Sequence, residues 1–280
     1  MFQESKKGHK IMKTIGFIGA GNMGGALIRA ASRADIGCEI LIADKIAEKA
    51  EALSKETSGR AKVSSGSEIA ERCDLIFLGV KPNFMASTLD EISEILAKRE
   101  EKATLVSMAA GVKIEKIAEM AKNSCPIIRI MPNIPVSVGE GMILYTACAC
   151  VSAEAEELFL AVMGKSGKLD KIPEALIDAG SALSGCGPAF AFMFIEALAD
   201  GGVACGLPRD KALSYAVQTL IGSAKLLEES GKHPGELKDA VCSPGGSTIE
   251  GVRTLEEGAF RGVTTDAVIA SFEKTKMLGK

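Results

Sequence analysis

Histidine is scarce in this sequence: His9 and His233 are the only two, so a metal centre has too few obvious ligands and none is expected. An excess of charge is also missing. The 33 basic and 36 acidic residues leave a net charge of −3, which gives no reason to expect nucleic acid or an anionic membrane surface as a partner. No apolar run is read as long enough to span a bilayer. Met1 to Lys10 is polar and basic without an apolar core, which argues against a secretory signal and leaves a flexible tail over 1–11, with Met12 an equally good start to the fold. The eight cysteines are scattered, mostly among apolar neighbours, and do not form a disulfide framework. Reduced, buried thiols and a cytoplasmic location are expected, with Cys148 and Cys150 on one face if their segment is a strand.

What is present describes a globular chain able to bury a sizeable core: 47% hydrophobic and 25% charged residues over a length that suits one large domain or two ordinary ones. The informative stretch is Lys13 to Arg29. Ile15, Phe17 and Ile18 form a short apolar strand, after which Gly19, Gly21 and Gly24 fall in the spacing G-x-G-x-x-G and a helical pattern begins. Glycine lets the backbone turn tightly at position 19, lets a pyrophosphate approach the main chain at 21, and lets helix and strand pack closely at 24. The helix start adds free N–H groups and partial positive charge. Asp44 ends a second strand, Glu39 to Ala43, about twenty residues further on, where a carboxylate accepts hydrogen bonds from an adenosine ribose and repels a 2′-phosphate. Taken alone, Asp44 favours NADH; Lys45 beside it offsets that by offering a cation to a phosphate. Asp44 also suits the N-cap of a helix over 45–57.

Strand–helix units continue, with strands at 74–80, 104–108 and 126–131 and helices near 85–97 and 114–122. Almost wholly apolar strands in such alternation predict a Rossmann-type, doubly wound, mostly parallel sheet covered on both faces. Ligands bind outside the carboxyl ends of its strands, so the loops Val80-Lys81-Pro82, Met108-Ala109-Ala110 and Met131-Pro132-Asn133 matter. Strands at 142–148 and 168–172, with a helix at 153–163 between them, complete a domain over 12–172. From 173 to 280 the pattern is all-helical, with Ala and Gly enriched and breaks at Gly206-Leu207-Pro208 and His233-Pro234-Gly235. The small residues and high apolar content predict burial against another subunit. Ser243 to Thr248 sets two glycines and two hydroxyls before a helix, suited to holding a carboxylate or to capping the helix with no ligand. Ser184-Gly185-Cys186-Gly187-Pro188 reads either as a tight helix kink or as a site wall.

Together these residues resemble the pyrroline-5-carboxylate reductase family, from Met12 onward. The resemblance is carried by Phe17 to Gly24, Val80 to Pro82, Ala109 to Val112, Arg129 to Pro135, Ser184 to Ala189, Glu196 to Val203, Gly206 to Arg209 and Leu237 to Ile249. Departures are small: Cys186 stands where the family commonly has Ser, Ile134 where Thr is usual, and Ser247 where Thr or Ala is found. The resemblance implies a nicotinamide domain, a helical dimerisation domain whose helices interleave with a second copy, and dimers sometimes assembled into rings. It implies reduction of a cyclic imine to L-proline by NAD(P)H. Carried over, Ile18, Gly19, Ala20, Gly21, Asn22, Met23 and Gly24 hold the pyrophosphate, and Asp44 lies at the ribose. Val80, Lys81, Pro82, Ala109 and Ala110 line the cofactor. Gly246, Ser247 and Thr248 hold the substrate carboxylate and ring nitrogen, and Glu174 lies near the substrate. The family's usual cofactor is NADPH, whereas Asp44 replaces the polar or basic residues that many members use near a 2′-phosphate.

The imine is already electrophilic, so the protein's task is to place it about 3–3.5 Å from the hydride donor and to anchor its carboxylate. Thr248 is the candidate catalytic residue, hydrogen bonding to the ring nitrogen. Two rivals share parts of this pattern. A β-hydroxyacid dehydrogenase shares the glycine opening but places a lysine in a glycine-rich helix start, and Ser184 to Pro188 has none. A non-catalytic nucleotide-sensing dimer would have no reason to keep two hydroxyls beside two glycines in Ser243 to Thr248.

Overall fold

The computed structural model describes residues 13–278. The tail read over 1–11 and the alternative start at Met12 lie outside the described residues. The chain forms two compact units: one runs up to Gly185 and also takes in the chain from Phe272, and the other is Cys186–Ser271.

The first unit is built on eight strands, β1 (Thr14–Ile18), β2 (Glu39–Ala43), β3 (Ala61–Val63), β4 (Leu75–Leu78), β5 (Thr104–Ser107), β6 (Ile127–Pro132), β7 (Gly141–Ala147) and β8 (Gly167–Lys171). Its helices are α1 (Asn22–Arg33), α2 (Ala47–Glu56), α3 (Gly66–Arg72), α4 (Pro82–Lys98), α5 (Ile114–Met120), α6 (Ala153–Met163) and α7 (Glu174–Ser184). The strand order is β3-β2-β1-β4-β5-β6-β7-β8. Successive side chains along a strand face opposite sides, and here both sides are covered. Ile15, Phe17, Leu75 and Phe77 enter one core, where the Phe17 and Phe77 rings stack at 4.5 Å; Ile18, Ile76 and Leu78 enter the other with Met85 and Leu89 of α4. This two-sided burial is why β1 and β4 read as continuous apolar runs.

All neighbouring strands are parallel except β6 and β7. A parallel return needs a crossover of a dozen or more residues, and the link from β6 to β7 is only a 3-10 turn, Ile134–Val138, closed by Gly139 at φ 83. The sequence reading passed over β3 and α3, which are too short to give a clear period.

The first helix after the last strand is α7, and it packs on the sheet. Ile177 is buried with Met131 and Leu144, and a Cβ on Gly180 would meet Leu144 Cδ1 at 2.3 Å. The first compact unit therefore extends to Gly185, past the change of secondary structure at 172–174.

The second unit is all-helical: α8 (Gly187–Ala204), α9 (Arg209–Ser230), α10 (Pro234–Val241), α11 (Ser247–Glu257) and the first part of α12 (Phe260–Leu278). Ala199, Ala212 and Ala216 form its small core, and Gly202 lets α8 approach Ala212 closely. Ala199 is the one buried residue of α8, while Phe192, Met193 and Tyr215 stand 60%, 69% and 56% exposed.

Two expectations are corrected. The stretch Glu174–Ala204 is long and apolar enough to cross a membrane by length and composition, and the backbone angles of Gly185 and Cys186 within it stay helical. Cys148 and Cys150 are joined by a disulfide instead of being free thiols. Strand β7 ends at Ala147, and the turn after it brings their Cα atoms to 5.4 Å, a distance a bridge can span. The other thiols are free: Cys73 and Cys125 are buried and Cys205 is exposed.

Candidate functional site

The glycine turn joins β1 to α1 at the centre of the sheet, beside the point where the strand order reverses, which is where open α/β sheets take their ligands. Gly19 has φ +107, and a Cβ on it would meet the Gly79 carbonyl at 2.6 Å. A Cβ on Gly24 would meet Gly19 O at 2.2 Å. Gly79, at the end of β4, is the third wall of this contact, and the sequence reading gave it no part. Gly21 differs from all three. A Cβ there would meet nothing within 4 Å, and its backbone is ordinary at φ −69. Gly21 is also the N-cap of α1, with no side-chain cap and no acidic residue in the first turn. The turn thus offers unsheltered N–H groups beside open space, which fits a pyrophosphate.

Asp44 follows β2 and is half-buried. Its Oδ2 accepts from the Ala20 N–H at 2.6 Å and its Oδ1 from the Ile46 N–H at 2.8 Å. The N-cap of α2 is Ile46, not Asp44, because the carboxylate folds 44–46 into a turn and delays the helix start to Ala47. Lys45 lies 3.5 Å from Glu91, both largely exposed, a pair weak enough for the lysine to leave.

Val80 is half-buried at the end of β4, Lys81 caps α4 and Pro82 opens it. Ala109 is buried and Ala110 half-buried after β5, and Gly111 turns the chain at φ +74. Glu174 stands at the start of α7. Its Oε1 accepts from the Ile114 N–H at 2.7 Å and from Arg129 Nη1 at 3.3 Å. Arg129 is fully buried on β6 and gives Nη2 to Asp178 Oδ1 at 2.7 Å. Asn133 holds the β6–β7 link, accepting from the Met142 N–H at 2.8 Å and donating to Ser184 O at 3.0 Å. The sequence reading quoted Arg129 and Asn133 in a motif without giving them roles. The available signal was a lone charge inside an apolar strand.

Two buried titratable groups elsewhere in the first unit are held protonated. Burial pushes the Cys73 thiol up to about 12. Burial, helped by a hydrogen bond to Glu156, does the same to the Tyr145 hydroxyl, also to about 12. Neither is a thiolate or a proton donor poised for neutral pH.

In the second unit Gly245 turns at φ +66, and Gly246 is the N-cap of α11 with no side-chain cap. A Cβ on Gly246 would meet Ser243 Oγ at 2.3 Å. Ser247 and Thr248 are exposed in the first turn, and among the described residues the Thr248 hydroxyl makes no hydrogen bond. A free helix start with two hydroxyls suits a carboxylate and one further acceptor.

Comparison with known proteins gives consistent results. The family model for pyrroline-5-carboxylate reductase dimerisation matches residues 174–278, and the one for NADP oxidoreductase, coenzyme F420-dependent, matches 14–111. Pyrroline-5-carboxylate reductase of Escherichia coli (strain K12) is 41% identical over 270 residues, covering 96% of this chain and 99% of its own. The Pisum sativum enzyme of the same name is 39% identical over 265 residues, covering 95% and 96%. The crystal structure of Plasmodium falciparum pyrroline carboxylate reductase with NADP bound superposes with a TM-score of 0.84 at 32% identity, covering 98% of this chain and all of that one.

Proposed function

The chain belongs to the pyrroline-5-carboxylate reductase family, and we propose that it reduces the cyclic imine pyrroline-5-carboxylate to L-proline, the last step of proline biosynthesis. The observation that carries this reading is the presence in one chain of two bare helix starts. One is open at Gly21 and the other bears Ser247 and Thr248.

Bound NAD(P)H supplies the hydride. The protein's residues do the rest. The backbone from Ile18 to Gly24 takes the pyrophosphate, with Asn22 and Met23 opening α1. Asp44 lies at the adenosine ribose, and Val80, Lys81, Pro82, Ala109 and Ala110 line the cofactor's course. NADH is used well on account of Asp44, with Lys45 favouring NADPH. The backbone at Gly246 and Ser247 anchors the substrate carboxylate, and the Thr248 hydroxyl bonds the ring nitrogen. Glu174, whose second oxygen makes no hydrogen bond among the described residues, lies near the substrate. No metal takes part in this reading.

The dimerisation and substrate domain is taken as 173–280 and the dinucleotide domain as 12–172. The chain is a homo-oligomer built through the helical half, and dimers assemble further into rings. The apolar stretch Glu174–Ala204 supports that reading: a second copy covers it, not a membrane. The working compartment is the cytoplasm, and no nucleic acid is bound.

The test is oxidation of NADH and of NADPH by the purified protein with pyrroline-5-carboxylate, beside a 3-oxo acid and a control without substrate. Turnover with the imine alone is expected. Protein that binds a reduced cofactor but oxidises neither with the imine would sink the reading, and turnover of the 3-oxo acid would favour a hydroxyacid dehydrogenase.

A further inference from the structure

We propose that Arg129 is a positioning residue for the reaction, fixing through Glu174 the segment Ala109–Lys113 that runs along the cofactor. The proposal rests on the reading that Ala109 and Ala110 line the cofactor.

Arg129 is an expensive choice for its place. It is fully exposed-surface chemistry put where no surface remains, with neighbours Ile128 and Ile130 in a sealed core, and its Nε–H finds no partner among the described residues. An apolar side chain of similar size would fill the space at lower cost, since a buried ion pair rarely stabilises more than good apolar packing. What a guanidinium adds is direction. Its planar fork meets two carboxylates one helical turn apart on α7, Asp178 at 2.7 Å and Glu174 at 3.3 Å. Asp178 fixes the fork, and the fork fixes Glu174.

Glu174 then passes this order on. Its Oε1 is shared between Arg129 and the Ile114 N–H at 2.7 Å. Ile114 is the first residue of α5, so its N–H has no partner within the helix and would otherwise turn to water. The segment between β5 and α5 is therefore tied at its far end to Arg129. Gly111 at φ +74 gives it freedom to move if that tie is cut. Arg129 touches neither cofactor nor substrate in this scheme and acts only through Glu174.

The test uses the full-length oligomer and three variants. Arg129→Lys supplies a point charge that can satisfy one carboxylate but not the fork. Its dissociation constant for reduced cofactor, read by nicotinamide fluorescence, is expected to rise about tenfold, the scale of one lost hydrogen bond to a charged group. Hydrogen exchange at the Ile114 amide should quicken in the same variant. Asp178→Asn, which keeps an acceptor for Arg129 but loses the charge, should move both readouts in the same direction by less. Ala110→Leu checks independently that the segment lines the cofactor. If Arg129→Lys lowers only the melting temperature, leaving affinity and Ile114 exchange unchanged while Ala110→Leu weakens binding, Arg129 is a packing residue and the proposal is overturned. If neither Arg129→Lys nor Ala110→Leu changes affinity, the segment does not line the cofactor and both readings fall. Should Arg129→Lys not fold, Asp178→Asn decides by the same two readouts.

Discussion

Asp44 holds the glycine turn by its backbone: Oδ2 accepts from the Ala20 N–H at 2.6 Å, while Oδ1 accepts from Ile46 at 2.8 Å. The carboxylate that faces the ribose in the proposed complex therefore also shapes the pyrophosphate loop. The two roles separate by substitution. Asp44→Asn keeps an acceptor for Ala20 and loses the charge, so NADPH should gain relative to NADH with little loss of overall activity. Asp44→Ser also loses the charge and leaves one shorter acceptor in place of the two that serve Ala20 and Ile46, so kcat/KM should fall with either cofactor while the ratio still moves toward NADPH. Paired kinetics with the two cofactors decide this. A wild-type preference for NADPH above about tenfold, roughly 1.4 kcal/mol, would mean that Lys45 or the backbone outweighs Asp44.

Gly21 and Gly24 lie in one motif and answer to different constraints. Alanine at 21 meets nothing within 4 Å, so Gly21→Ala should leave the melting temperature nearly unchanged and cut cofactor affinity by at least about tenfold. Alanine at 24 drives a methyl to 2.2 Å from Gly19 O, so Gly24→Ala should destabilise the fold by about 1–3 kcal/mol or more. Thermal melts with and without cofactor separate the two. Equal loss of stability in both variants would remove the case for a ligand at Gly21.

Much of this was legible because the constraints are local. Strand, turn and helix around Gly19, Gly21 and Gly24 are contiguous, and the spacing alone carries their geometry. Gly79 was not legible: it comes from another strand, and only the fold brings it against Gly19. Strand β7 was visible as a strand, but its reversed direction follows from a link too short to cross over. Arg129 is one charge among apolar neighbours, a signal the sequence reading passed over, and its partners Glu174 and Asp178 lie on a later helix whose placement no local pattern specifies. Cys148 and Cys150 were read through an extended strand, and the strand stops before them.

The exposed apolar face of α8 gives a prediction for assembly. Phe192 and Met193 are 60% and 69% exposed, a poor arrangement for a lone chain. Phe192→Asp should shift the protein to monomer in sedimentation velocity and abolish turnover. A wild-type protein that sediments as an active monomer at assay concentration would contradict the dimer.

Glu39 predicts a pH dependence of stability. A hydrogen bond from Lys62, assisted by Arg72, holds its carboxyl below the usual carboxylate range despite partial burial. The charged form is thus favoured more in the folded chain than in the unfolded one. That contribution is complete above the unfolded value of about 4.3 and is lost as pH falls through the lower folded value. Glu39→Gln should be less stable than wild type at neutral pH by up to about 1 kcal/mol, with the gap closing in acid. Urea midpoints at several pH values measure it, and a gap that persists unchanged at low pH would refute the assignment.

Thr248 is exposed in the first turn of α11 with its hydroxyl unengaged among the described residues, so no hydrogen bond within the chain has to break for it to turn toward a ligand. If that hydroxyl bonds the ring nitrogen, the bond matters most as the imine carbon becomes tetrahedral and the nitrogen grows more basic. Thr248→Ala should then lower kcat/KM for the imine by the worth of one hydrogen bond, about 0.5–1.5 kcal/mol or somewhat more if charged. Thr248→Ser keeps the hydroxyl and should retain most activity. Cofactor affinity should hardly move in either variant, because the assigned cofactor residues are elsewhere in the chain. A residue acting as a full acid would instead cost several orders of magnitude, which a neutral hydroxyl cannot supply. If Thr248→Ala leaves kcat/KM unchanged, the loop binds the carboxylate through its backbone alone, and the proton reaches the nitrogen from solvent.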